Sequence, residues 1–120
     1  MLNFNSIMLS TDKPKVMIEF YTKVFDKKPD MAGDDWASYR VGSGFFSVGT
    51  HDKVKGTTMQ PERILFNFET SEVAKEFDRI KAYGAKVVAE PYEMEDMKSM
   101  WIATFADPDG NYFQLMSPMK

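Results

Sequence analysis

The stretch Ala103-Thr104-Phe105-Ala106-Asp107-Pro108-Asp109-Gly110-Asn111-Tyr112-Phe113-Gln114-Leu115 decides the fold. Its centre, Asp-Pro-Asp-Gly, is turn chemistry: proline presets φ, and glycine accepts the tight return. Apolar and β-branched residues flank it on both sides, so the stretch predicts a β-hairpin. Alternation then divides the second strand. Phe113 and Leu115 point one way, and Tyr112, Gln114 and Met116 the other.

Working backwards from the hairpin, strands are predicted near Lys86–Glu93 and Met100–Ala106, with the last at Tyr112–Ser117. A helix with Val73, Phe77 and Ile80 on one face precedes them. Thr70 or Ser71 is its expected cap and Gly84 its stop. A strand over Glu62–Glu69 comes before that helix. The polar stretch His51–Pro61, with Gly56 and Pro61, reads as a linker. The same order appears on its other side: a strand at Phe4–Thr11, Asp12 as N-cap, Pro14 in the first turn, and a helix to about Phe25. Met17, Phe20, Tyr21 and Val24 share a face of that helix. Strands follow near Lys27–Ala32, Trp36–Val41 and Phe45–Thr50. Phe20 and Phe77 recur at the same separation as Ser6 and Arg63, so the chain reads as two βαβββ modules, about 1–51 and 62–120, in a single domain of 120 residues. A ferredoxin-like sandwich fits poorly, because three strands follow each helix.

The terminal hairpin, with Phe20-Tyr21 and Val24-Phe25 on the first helix, resembles the vicinal oxygen chelate superfamily: glyoxalase I, the extradiol dioxygenases, and the bleomycin and fosfomycin resistance proteins. The resemblance covers nearly the whole chain. It implies an α+β fold in which two βαβββ modules form a cup-shaped mixed sheet with the helices outside. One departure is Asp26-Lys27, where the family often has glycine.

Periodicity gives the sheet two faces. Ile7, Leu9, Ile64, Phe66, Phe68, Phe113 and Leu115 are expected against the helices. Ser6, Met8, Ser10, Arg63, Leu65, Asn67, Tyr112, Gln114 and Met116 take the opposite parity. That mixed set suits either a ligand cup, mostly apolar with a few fixed polar groups, or a solvated sheet face; the resemblance implies the cup. In the family's metal enzymes, the ligands are typically histidine on the first strand, histidine or glutamate on the first strand of the second half, and glutamate on the last. The resemblance places these on Ser6 (or Asn5, one residue earlier), Arg63 and Gln114. Glyoxalases add a glutamate from the fourth strand, where Phe45–Gly49 has no carboxylate. Serine and glutamine are weak neutral donors, and arginine stays protonated and repels a cation. No metal ligand and no cofactor are therefore expected.

Arg63 could instead clamp a carboxylate or phosphate, or pair with Glu62 or Glu69 at a strand start. Trp36, Tyr39, Phe45, Phe46 and Trp101 lie on middle strands, where they either stack on a planar ligand or fill the core. Acidic neighbours beside the tryptophans, Asp34-Asp35 and Glu95-Asp96, would suit a cationic aromatic ring. His51, at the edge of the linker, is expected on the surface. Glu90, Glu93, Glu95 and Asp96 could do acid/base work as paired carboxylates, but read as a solvated strand end or loop. Asp107–Asn111 is not an EF-hand, because its glycine is fourth rather than sixth and Pro118 holds the twelfth place. Gly42-Ser43-Gly44 is too short for a phosphate loop.

Composition fits a globular protein, with 43% hydrophobic and 28% charged residues and a net charge of −3. The charge gives no footprint for nucleic acid. No cysteine is present, which excludes disulfides and thiolate sites. Met1–Asn5 lacks a signal-peptide pattern and no run approaches a membrane span, so a cytoplasmic location is expected. Ten methionines, several between Met94 and Met119, suit core filling or an adaptable ligand surface. The expected function is metal-independent binding, as sequestration or sensing, of an aromatic or anionic small molecule. The candidate site residues are Ser6, Trp36, Tyr39, Phe46, Arg63, Trp101, Tyr112 and Gln114, in a homodimer by family analogy. The alternatives are a glyoxalase-like lyase or isomerase, or a ring-cleavage dioxygenase, with displaced metal ligands, and a regulatory module with a vestigial pocket.

Overall fold

In the computed structural model, which describes residues 1–118, the chain divides into two compact units at Gly56/Thr57, inside the polar stretch His51–Pro61. Met119, the last of the clustered methionines, lies outside the described residues. The linker is tied at both ends. Gly56 N donates to Asp12 Oδ2 at 2.9 Å in the first unit, and Thr58 N to Asp109 O at 2.9 Å in the second.

The first unit contains β1 (Ser6–Thr11), α1 (Pro14–Phe25), β2 (Met31–Ala32), β3 (Trp36–Val41) and β4 (Gly44–Thr50). The sheet order is β1-β4-β3-β2, with β1 and β4 parallel and the other pairs antiparallel. The second unit contains β5 (Leu65–Glu69), α2 (Val73–Ala82), β6 (Lys86–Glu93), β7 (Trp101–Ala106) and β8 (Tyr112–Met116). Its order, β5-β8-β7-β6, repeats the first, again with one parallel pair, β5–β8. The expected α+β class and the two βαβββ modules are found.

The hairpin forms for the reasons its residues suggest. Asp107 Oδ1 accepts the amides of Asp109 and Asn111, each at 2.9 Å, and Asp107 and Asn111 close the turn with Asp107 N to Asn111 O at 2.8 Å. Gly110 takes φ +84°, which a Cβ would oppose.

Each helix buries one stripe on its own sheet. Met17, Tyr21 and Val24 of α1 pack over β3 and β4; Val73, Phe77 and Ile80 of α2 pack over the second sheet. Phe105 stacks between Phe77 and Phe113, with ring centroids at 5.0 and 5.6 Å.

Four local expectations are corrected. Asp12 does not cap α1; the N-cap position is Lys13, and Thr11 Oγ1 accepts its amide at 3.0 Å while Asp12 holds the linker. Neither Thr70 nor Ser71 sits at the α2 cap position, which is Glu72, although Thr70 Oγ1 accepts the Glu72 amide at 3.1 Å. The strand expected from Lys27 shrinks to two residues. Asp30 Oδ2 accepts the Arg40 amide at 2.6 Å, so a side chain takes the place of a backbone rung, and Pro29 offers no N–H. The strand expected from Glu62 starts only at Leu65, because Pro61 opens a short 3-10 turn over Pro61–Arg63; Ile64 follows it 58% exposed instead of buried against a helix.

A candidate ligand-binding sheet face

Residues paired across a ladder point the same way, so the registers define the face that each sheet turns away from its helix. In the second unit the central row of that face is Asn67, Gln114 and Thr104, on β5, β8 and β7. Gln114 Nε2 donates to Thr104 Oγ1 at 3.1 Å. Thr104 is buried, Gln114 half-buried and Asn67 exposed. On one side runs the row Leu65, Tyr112 and Ala106; on the other runs Glu69, Met116 and Ile102. Glu69, at a corner, is the one ionisable carboxylate of these nine positions.

The first unit has a matching centre. Met8, Ser47 and Ser38 share a row across β1, β4 and β3, and Ser47 Oγ donates to Ser38 Oγ at 2.9 Å. Ser6, Phe45 and Arg40 form the row at one end, with the Arg40 guanidinium over the Phe45 ring at 5.5 Å. Ser10, Gly49 and Trp36 form the other. Trp36 is 42% exposed and lies where a side chain on Gly33 would be, so that glycine makes room for the indole.

The candidate residues therefore separate. Ser6 and Trp36 stand on the open face of the first sheet; Tyr112 and Gln114 stand together on that of the second. Tyr39 and Phe46 do not reach an open face. Both have the helix-side parity, at 0% and 3% exposure. The Tyr39 hydroxyl donates to Ile18 O at 2.9 Å and meets Thr22 Oγ1 at 2.8 Å on α1, and burial pushes its ionisation above the ordinary tyrosine range. Phe45, beside Phe46, has the outward parity, and β1 pairing supplies the signal: Ser6 aligns with Phe45 and Ile7 with Phe46. Trp101 shares parity with Ala103 and Phe105, and so lies on the helix side. It lines a shallow groove of about 410 Å³ with Ser71, Val73, Lys75, Pro91 and Ser117 at the start of α2.

Arg63 sits in the 3-10 turn, exposed, with Nη2 donating to Gln60 Oε1 at 2.6 Å. Among the described residues it forms no ion pair with Glu62 or Glu69. His51 is exposed; its Nδ1 accepts the Lys53 amide at 3.1 Å and faces Asp52 at 3.3 Å. Glu93 spends its carboxylate on the Ser99 amide at 2.8 Å, bracing the β6–β7 loop.

The donor set does not fit a catalytic divalent ion. Gln114 is a neutral amide engaged with a hydroxyl, and Arg63 is a fixed cation. Among the described residues no three His, Cys, Asp or Glu side chains gather as a metal cluster. No helix of the described chain is long and apolar enough to cross a membrane.

A family model described as "Glyoxalase/Bleomycin resistance protein/Dioxygenase superfamily" matches residues 3–115. No curated protein matches the sequence. Among solved structures, a glyoxalase-related enzyme from Fulvimarina pelagi superposes with a TM-score of 0.79 at 17% identity, covering 98% of this chain and 89% of that one. A glyoxalase/bleomycin resistance protein/dioxygenase family enzyme from Burkholderia phytofirmans PsJN gives 0.74 at 21%, covering 96% and 98%. TioX from Micromonospora sp. ML1 gives 0.73 at 15%, covering 98% and 99%. At these identities the likeness is one of fold.

Proposed function

The chain belongs to the glyoxalase/bleomycin resistance protein/dioxygenase superfamily, and from that premise we propose that it binds a small aromatic or anionic molecule without a protein-held metal, as a sequestering or sensing protein. One observation carries the reading. The Gln114 amide, which the resemblance places where the family's metal enzymes hold a glutamate, is hydrogen-bonded to Thr104. A neutral donor already engaged in the protein is a poor first ligand for a divalent cation.

Ser6, Trp36, Tyr112 and Gln114 carry the proposal as open-face residues. Arg63 is proposed as an anion contact and Trp101 as a wall of the α2 groove, while Tyr39 and Phe46 are assigned to the core. A homodimer in the cytoplasm completes the proposal, and light scattering tests its assembly.

Two measurements decide it. Purified protein is expected to carry far less than one zinc, nickel, iron or manganese per chain by elemental analysis; a stoichiometric transition metal would favour a lyase or dioxygenase instead. A melting-temperature screen against metabolites and antibiotics is expected to yield hits. A ligand at 100 times its Kd adds about 2.7 kcal/mol, worth roughly 10 °C for a domain of this size. A flat screen would favour a domain whose pocket has lost its use.

A further inference from the structure

Resting on that reading, we infer that the Asn67–Gln114 pair makes the second sheet face a reader of uncharged planar ligands that present a hydrogen-bond donor beside an acceptor, as a cyclic amide does. Asn67 and Gln114 are direct Cα partners on parallel strands, so two carboxamides stand side by side on one face. Gln114 is oriented by its bond to Thr104, itself 5% exposed. That bond uses one amide hydrogen. Among the described residues, no hydrogen bond within the protein takes the Gln114 carbonyl, its second amide hydrogen, or any polar atom of the Asn67 side chain. A carboxamide offers a donor and an acceptor on one planar group, which matches the N–H and C=O of a lactam.

The surroundings favour a neutral, flat partner. Leu65 and Tyr112 flank the pair on one side and Met116 on the other, giving apolar and aromatic surface on which a ring can lie. No cation shares these rows, and Glu69 at the corner repels an anion. Arg63, the residue that would attract one, is in the turn before β5 and donates to Gln60. A ligand lacking the matching groups forgoes the hydrogen bonds that the half-buried Gln114 and the exposed Asn67 can make.

Three probes of similar ring size separate the possibilities: 2-quinolone, quinoline-2-carboxylate and naphthalene. Binding is followed by two-dimensional NMR, in which the side-chain amide signals of Asn67 and Gln114 are read directly. The expected result is that 2-quinolone binds about tenfold tighter than either comparator, the return of one well-made hydrogen bond, and shifts both amide signals. Gln114→Met and Asn67→Leu, which keep length and shape, are each expected to abolish the preference for 2-quinolone over naphthalene. The unperturbed backbone spectrum of each variant verifies its fold. Tighter binding of quinoline-2-carboxylate, or a 2-quinolone preference that survives both substitutions, would overturn the inference and leave small-molecule binding standing. Failure of all three probes to bind would count against both.

Discussion

The two units repeat one plan and finish it differently. In the first, the helix-side core uses tyrosines: Tyr21 packs on Phe46 at 4.7 Å, and Tyr39 passes its hydroxyl to α1. In the second, the equivalent layer is a stack of phenylalanines, Phe77, Phe105 and Phe113, with no polar tip. The open faces differ in the same spirit. Each has a neutral hydrogen-bonded pair at its centre, Ser47–Ser38 and Gln114–Thr104, but the serines are short, whereas the second pair adds the longer Gln114 and its neighbour Asn67. A repeat is thus kept by alternation and pairing geometry rather than by residue identity. On the proposed reading, the polar groups offered to a ligand concentrate in the second unit, at Gln114 and Asn67.

The strongest blow to the comparison is Phe105→Ala. Phe105 is fully buried between two rings, and its truncation is expected to cost about 3–5 kcal/mol, a large share of a typical domain's stability. Urea unfolding reads it. A loss under 1 kcal/mol would mean that the phenylalanine stack is not the core of the second unit. Tyr39→Phe in the first unit is the milder counterpart. It keeps the ring and removes only the hydroxyl, so a loss of about 1 kcal/mol is expected. The variant also responds differently to alkali. Burial raises the folded Tyr39 pKa, so the contribution of the neutral phenol is present below the unfolded value of about 10 and is lost as pH rises through the folded one. Tyr39→Phe should therefore lose less stability than the parent above pH about 10.

These contrasts mark how far the sequence could be read. Period-2 alternation and the Asp-Pro-Asp-Gly turn gave the succession of elements along the chain, β3 and β6 to the residue, and the inward set Phe66, Phe113 and Leu115; the order of strands within each sheet came only from their pairing. What alternation alone does not reveal is which of two adjacent aromatics points outward. Phe45 and Phe46 are equally apolar, and only pairing with β1 fixes the parity. For Trp101 the parity follows from Ala103 and Phe105, and its acidic neighbours carry no information about it. The expected caps failed because Asp12 and Thr70 bond to amides that lie outside the ordinary capping pattern. Arg63 fell outside the strand because proline two residues earlier started a turn. Side-chain partners such as Thr104 for Gln114 lie across a ladder, and no local spacing announces them.

A smaller test uses the helix ends. After α1, Asp26 holds the left-handed conformation, φ +53°, with its amide and that of Lys27 bonding back to Lys23 O and Thr22 O. After α2, glycine meets the same demand, Gly84 at φ +86°. Asp26→Gly should therefore stabilise by about 0.5–1 kcal/mol, relieving the backbone and removing a negative charge from a helix C-terminus. Gly84→Ala should destabilise by about 1 kcal/mol. Equal and opposite shifts in urea midpoint would show that the two ends are the same device. A destabilising Asp26→Gly would break the equivalence.

The least effect is expected where the units differ most in length, at β2 against β6. β6 runs eight residues, whereas β2 has two and is extended by Asp30, whose carboxylate takes the Arg40 amide at 2.6 Å and Lys27 Nζ at 2.8 Å. Those bonds, the Arg40 amide first, hold the Asp30 carboxyl below the ordinary aspartate range. Because the folded value is the lower one, the stabilisation is fully present above the unfolded value of about 3.9 and fades as pH falls through the folded one. The pair is exposed, so the gain is small and partly screened by salt. Asp30→Asn should lower the urea midpoint slightly at pH 7 and leave it unchanged near pH 2. The Arg40 amide proton of the parent should titrate with a midpoint below 3.9, and that response should vanish in the variant. An Arg40 amide indifferent to acid in the parent would mean that the carboxylate does not serve as the missing rung, and β2 would then end without a substitute for the longer pairing that β6 makes with β7 across two register shifts.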